Sequence, residues 1–182
     1  MGDPAPIVTT APAGLRLRRA GEDDLPFLAE VYASTRREEV AKLPWSEEEK
    51  ETFLRWQFDS QHRHYREYYP DCEFLVVERG GEDGPSEPIG RIYVDRWKDQ
   101  IRLVDVALLP EHRGRGLGGA LLRELLAEGE ARDLPVTIHV EYNNPALRLY
   151  RRLGFRHVDS NGIYYLMRRE PGRAQSADAG RS

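Results

Sequence analysis

The stretch Pro110-Glu111-His112-Arg113-Gly114-Arg115-Gly116-Leu117-Gly118-Gly119-Ala120-Leu121-Leu122 decides the reading of this chain. An apolar run, Ile101 to Leu109, precedes it, and apolar residues then recur at 117, 121, 122, 125 and 126. That spacing describes a helix with one apolar face. Glycines between a strand and a helix let backbone pass close to a ligand. The first N–H groups of a helix lack internal partners, so such a turn cradles an anion, and a phosphate is the expected one.

Two other readings of the turn compete. Glycines there can simply permit tight packing. Gly114-x-Gly116-x-x-Gly119 also satisfies the dinucleotide fingerprint, but Pro110 to Arg113 separate the first glycine from the strand. That fingerprint should open the first βαβ unit, whereas here it comes late, with too little chain following for further parallel strands.

Working outward, Leu15 to Arg18 alternates like a half-buried strand, and Leu25, Leu28, Val31 and Tyr32 mark a first helix. Ser46 with Glu49 forms a capping box that opens a second helix running towards Tyr65. Phe74–Val77 and Ile89–Val94 read as a hairpin around a loop of Gly, Asp, Pro and Ser. After the glycine turn and its helix, Val136–Glu141 is a strand. Ala146, Leu149, Tyr150 and Leu153 mark a short helix that Gly154 ends. Phe155–Val158 and Ile163–Met167 close the chain as a hairpin turning at Asn161-Gly162. The predicted order is β-α-α-β-β-β-α-β-α-β-β, a mixed α/β sheet with helices on its faces. Residues 1–14 and 171–182 read as tails around one domain spanning 15–170.

Bulk properties narrow the class. The net charge is −4, which argues against a general nucleic-acid binder. A single cysteine, Cys72, excludes an internal disulfide and fits a reducing compartment. No apolar stretch reaches the roughly 20 residues needed to span a bilayer, and no secretory signal opens the chain. A cytoplasmic protein without membrane association is expected. His62 and His64 point to different sides of a helix and a lone cysteine offers no complement, so no metal site is expected.

Arg113-x-x-Gly116-x-Gly118 matches the (Gln/Arg)-x-x-Gly-x-(Gly/Ala) signature of the GNAT superfamily of N-acetyltransferases, which this chain resembles over residues 15–168. Leu108-Leu109-Pro110 sits where that family has its strand end. Asn143-x-x-Ala146-x-x-x-Tyr150-x-x-x-Gly154-Phe155 reproduces its second motif. The resemblance implies a mostly antiparallel sheet of about seven strands, flanked by helices and splayed at a coenzyme site. It implies acetyl-CoA as co-substrate and a primary amine, small-molecule or peptide, as acceptor, attacked directly in a ternary complex. A catalytically idle acyl-CoA-binding or regulatory module on the same scaffold is the alternative. Relatives often pair through their C-terminal strands, so a homodimer is within its scope.

By the same resemblance, backbone N–H groups of Arg115, Gly116, Leu117, Gly118 and Gly119 face the pyrophosphate. The pantetheine arm lies along the strand end at Val106 and Leu108, with an N–H near Val106 on the thioester carbonyl. Arg113 either adds charge near the phosphates or pins the loop. Tyr150 matches the family's general acid, though its spacing also suits plain packing. Asn143 would cap the short helix and touch the pantetheine arm. For the base, simple alternation puts Arg102, Val104 and Val106 on one face of their strand and turns Asp105 away. His139 and Glu141, two apart on the next strand, are the candidates, with ordered water as the third. Trp45 and Trp56 read as packing residues, while Arg36, Arg37, Glu38 and Glu39 could select a charged acceptor.

Overall fold

The computed structural model describes residues 11–80 and 85–172, so most of both expected tails and the centre of the first hairpin loop lie outside the described residues. The elements are β1 (Leu15–Arg19), α1 (Leu25–Val40), α2 (Glu47–Tyr68), β2 (Glu73–Arg79), β3 (Glu87–Arg96), β4 (Ile101–Leu108), α3 (Leu117–Arg132), β5 (Val136–Glu141), α4 (Leu147–Arg152), β6 (Arg156–Asn161) and β7 (Tyr164–Arg169). This is the order predicted from the sequence, with single 3-10 turns at Glu22–Asp24 and Pro110–His112 added.

One sheet of seven strands runs β1-β2-β3-β4-β5-β7-β6, antiparallel throughout except between β4 and β5. The α3 face carries the main core. Leu121, Leu122 and Leu125 of α3 are fully buried against Leu75, Ile92, Leu103, Val136 and Met167. Each such side chain removed from water contributes about 1.5–3 kcal/mol. The opposite face is covered by α1 and α2 through Leu28, Tyr32, Phe58 and Val76. Ser46 caps α2 as expected: its hydroxyl accepts the Glu49 N–H and the Glu49 carboxylate accepts the Ser46 N–H at 2.7 Å. The last hairpin turns one residue later than predicted, at Gly162-Ile163, because Asn161 still pairs with Tyr164.

Two irregularities in β4 create the site. Tyr93 pairs with Asp105 and Val94 with Leu103, which leaves Val104 as an extra residue. Such a bulge puts two neighbouring residues on one side of a strand. Val104 packs with Tyr65, Tyr69 and Phe74 beneath α2, whereas Leu103, Val106 and Leu108 join the α3 core. The alternation expected for 102, 104 and 106 therefore breaks at the bulge, and Asp105 is turned towards the gap described next. The second irregularity is the β4–β5 seam. Only Ile101, Arg102 and Leu103 pair with Val136, Thr137 and Ile138. Beyond Leu103 the two strands part, and β5 remains paired with β7 alone.

Candidate active site

A cavity of about 220 Å³ fills the gap between the parted strands. It is lined by Val106 and Ala107 of β4, by His139 and Glu141 of β5, by Asn143, and by Tyr150 of α4. Tyr32 and Tyr65 reach it from the helices of the opposite face, so the opening passes through the sheet. A larger cavity of about 710 Å³ adjoins it under α1 and α2 and shares Tyr32, Tyr65, His139 and Tyr164 with it.

The glycine turn lies at the end of β4. Gly114 and Gly116 hold φ values of +69° and +80°, in the left-handed region that favours glycine. Gly116 is the N-cap of α3 and its carbonyl accepts the Ala120 N–H at 2.9 Å. The N–H groups of Leu117, Gly118 and Gly119 thus open the helix without partners one turn back. A Cβ added at Gly116 or Gly118 would meet nothing within 4 Å, so open space stands before those amides. Partial positive charge and bare backbone at one helix end suit a diphosphate. Arg113 donates from Nε to the Leu108 carbonyl at 2.7 Å and from Nη2 to the Ser34 hydroxyl at 2.8 Å. Of its two expected roles, these bonds supply the loop-pinning one.

Tyr150 is buried in the small cavity, edge-on to Phe155 with ring centroids 5.7 Å apart. Burial, reinforced by the charge of Asp105, pushes its phenol far above the ordinary value, so the hydroxyl stays protonated. His139 lies with Nδ1 3.2 Å from Nη1 of Arg102. Desolvation and that guanidinium hold its pKa below 6.5, leaving a neutral imidazole at neutral pH. Glu141 shares its strand face as predicted, but both its oxygens are engaged by Arg36, Oε2 at 3.2 Å from Nη1 and Oε1 by Nη2. That contact ties Glu141 to α1. Asn143 lines the cavity without capping α4. Its neighbour Asn144 accepts the Ala146 N–H at 2.8 Å in the turn before α4, and no side chain caps the helix itself.

Several lining residues were not singled out from the sequence. Arg91, buried on β3, sets Nη2 2.5 Å from Oδ2 of Asp105 and 3.0 Å from Oε1 of Gln61. A lone arginine within the apolar run Ile89–Val94 was the available signal. Trp45 and Trp56, expected to pack, are instead 40% and 62% exposed and flank Phe53 on the outer surface of α2. Among the described residues no group of three or more His, Cys, Asp or Glu is placed to hold a metal ion.

A family model described as the Acetyltransferase (GNAT) family matches residues 32–155, which include the glycine turn, both parted strands and Tyr150. The chain belongs to the GNAT acetyltransferase family. A Bacillus subtilis protein with the provisional name ribosomal protein bS18-alanine N-acetyltransferase is 28% identical over 79% of this chain and 82% of its own length. The mycothiol acetyltransferase of Thermobispora bispora is 31% identical over 82% of this chain but only 51% of its own, so the chain spans about half of that relative. Among solved structures, the PaiA N-acetyltransferase of Thermoplasma acidophilum in complex with coenzyme A superposes with a TM-score of 0.62 at 21% identity, covering 86% of this chain and 98% of the other. At that identity the likeness establishes the fold. As a GNAT acetyltransferase the chain moves an acetyl group from acetyl-CoA to an amine.

Proposed function

We propose that the parted strands β4 and β5 receive the acetyl-bearing arm of acetyl-CoA, and that Tyr150 and His139 move the protons of the transfer. The observation that carries this reading is the meeting of three features at one gap: bare amides at the N-terminus of α3, unpaired strand edges past Leu103, and a protonated tyrosine. The diphosphate would lie against the amides of Arg115, Gly116, Leu117, Gly118 and Gly119. The arm would run beside Val106 and Leu108, where β4 has no partner on its β5 side, with Asn143 across the gap.

The chemistry then balances simply. An ammonium acceptor first loses a proton, because its pKa near 10 otherwise keeps the nitrogen lone pair unavailable. His139, already neutral and bordering both cavities, accepts it directly or through water. The amine nitrogen attacks the thioester carbon, a C–N bond forms and the C–S bond breaks. The sulfur leaves with the bonding electrons and takes the Tyr150 proton, while the nitrogen's second proton passes to solvent and restores the phenol. A main-chain N–H near Val106 stabilises the negative oxygen during attack. Holding the two reactants together accounts for most of the acceleration. The Arg36 contacts on Glu141 support a structural role for it, and His139 or water is the base in this reading.

The acceptor is a primary amine, either small or at the end of a peptide, as the relatives' names allow. A single buried Cys72, which can form no internal disulfide, supports action in the cytoplasm. The exposed Val158 on the edge strand β6 offers a surface on which two copies could pair. The test is release of free thiol from acetyl-CoA over a broad amine panel. Turnover that Gly116→Glu abolishes is expected. Binding of acetyl-CoA with no turnover of any amine points to the idle acyl-CoA module.

A further inference from the structure

Asp105 has no part in the roles assigned above, yet the bulge at Val104 sets its carboxylate in the small cavity with Tyr150. Its side chain is 19% exposed, while its partner Arg91 is 3% exposed. Arg91 sets Nη2 2.5 Å from Oδ2, which is sealed from solvent and, among the described residues, meets no donor in hydrogen-bonding geometry beyond that ion pair. Oδ1 is the carboxylate oxygen not sealed from solvent. Of the other carboxylates lining the small cavity, Glu141 has both oxygens taken by Arg36, while Glu39 of α1 is 57% exposed with Oε2 3.3 Å from Arg36. Asp105 is therefore the strand carboxylate with an oxygen to offer beside Tyr150.

The surrounding walls narrow what that oxygen meets. The larger cavity is faced by Tyr32, Phe53, Tyr65, Tyr69 and Tyr164. Across both cavities two guanidiniums, Arg36 and Arg91, face three carboxylates, Glu39, Asp105 and Glu141, and His139 is neutral. One negative charge is left over, which a single ammonium balances. Aromatic faces attract one cation and bury an apolar body, but they offer nothing to further ammonium groups along a chain.

We propose that Asp105 holds the acceptor nitrogen through Oδ1, and that the acceptor is a monoamine carried on an aromatic or apolar body. The proposal rests on the acetyl-transfer reading above. Coulomb attraction draws the ammonium in, and after deprotonation the carboxylate accepts an N–H and fixes the direction of the lone pair. Arg91 positions Asp105.

The test compares tyramine, tryptamine and phenylalanine amide with spermidine as acceptors, following thiol release from acetyl-CoA by the full-length protein. Acetyl-CoA protection against thermal unfolding is measured in parallel. At least one aromatic monoamine should exceed spermidine in kcat/KM by about tenfold or more, as expected when additional charges go unmatched. Asp105→Asn retains an oxygen for Arg91 but loses the charge. It should lower acceptor kcat/KM roughly ten- to hundredfold, mainly through KM, and leave acetyl-CoA protection unchanged. Asp105→Glu keeps the charge and should fall between the two, which guards against a folding defect in Asp105→Asn. A preference for spermidine overturns the proposal, and so does an unaltered acceptor KM in Asp105→Asn. Failure of all three aromatic amines, with acetyl-CoA protection intact, also overturns it while sparing coenzyme binding. Absence of acetyl-CoA protection in the wild type removes the acetyl-transfer reading itself.

Discussion

Alanine at position 116 separates backbone strain from coenzyme binding. Gly116 sits at φ +80°, where the Cβ of an L residue crowds the following carbonyl and costs about 1–2 kcal/mol. A Cβ there meets nothing within 4 Å, so no packing clash adds to that cost. In a domain of this size each kcal/mol shifts Tm by about 2–4 °C, and Gly116→Ala should therefore melt roughly 2–8 °C lower. Gly14 is a matched control, with φ +79° and equally open surroundings, just before the edge strand β1. Both variants should lose the same stability. The assay repeats each melt with coenzyme A at about a hundred times its wild-type Kd, which adds about 2.7 kcal/mol to a protein that binds it. Wild type and Gly14→Ala should then rise by roughly 5–11 °C. Gly116→Ala should lose most of that rise, because the methyl group enters the space against which the diphosphate lies. If Gly116→Ala melts low but keeps the full rise, the open space before α3 is not the coenzyme site and the reasoning fails.

Other variants test other parts of the site. Tyr150→Phe removes the proton destined for sulfur and should lower kcat by about 10²-fold, with the coenzyme-induced Tm rise unchanged; an unaltered kcat in the thiol assay reduces Tyr150 to a packing residue. His139 serves as base only when neutral, and desolvation and the Arg102 guanidinium lower its pKa, so kcat/KM should climb with pH along a limb whose midpoint lies below that of a free imidazole. His139→Gln should abolish that limb, and an identical profile assigns the proton to water. Arg91→Met leaves the Asp105 carboxylate without its partner, a loss of about 3–5 kcal/mol for a buried pair. The partial exposure of Asp105 favours the lower end, and Arg91→Met/Asp105→Asn should recover part of the loss in thermal melts.

The glycine turn, the element order and the Ser46 cap were legible because each is written locally: an apolar period, a glycine at a boundary, a hydroxyl three residues before a carboxylate. Tyr150 could be placed for the same reason, since Gly154 and the 146-149-150-153 spacing define its helix. Asp105 could not. Nothing in Leu103-Val104-Asp105 announces an extra residue, and strict alternation sent the carboxylate to the wrong side of β4. Whether Asn143 or Asn144 bonds into the turn before α4 depends on how the chain leaves β5, which two adjacent asparagines do not reveal. Arg36 and Glu141 lie 105 positions apart, so their bond depends on how α1 crosses the end of β5. Tyr65 was legible as the end of the second helix, but the cavity it lines depends on the bulge beneath it.

The short β4–β5 seam also makes the sheet a pair of leaves joined along one edge. Three residue pairs, Ile101–Val136 to Leu103–Ile138, form the joint, and the Thr137 hydroxyl donates to Oε1 of Gln100 beside it at 2.8 Å. From Leu103 to Leu108 β4 extends about 17 Å beyond that joint, at roughly 3.3 Å per residue. A tilt of about 5° between the leaves therefore moves the far end by about 1.5 Å, comparable to the misplacement that costs an enzyme a hundredfold in rate. Thr137 and Gln100, beside the joint, thus act at the short arm of a lever whose long arm borders the gap between β4 and β5.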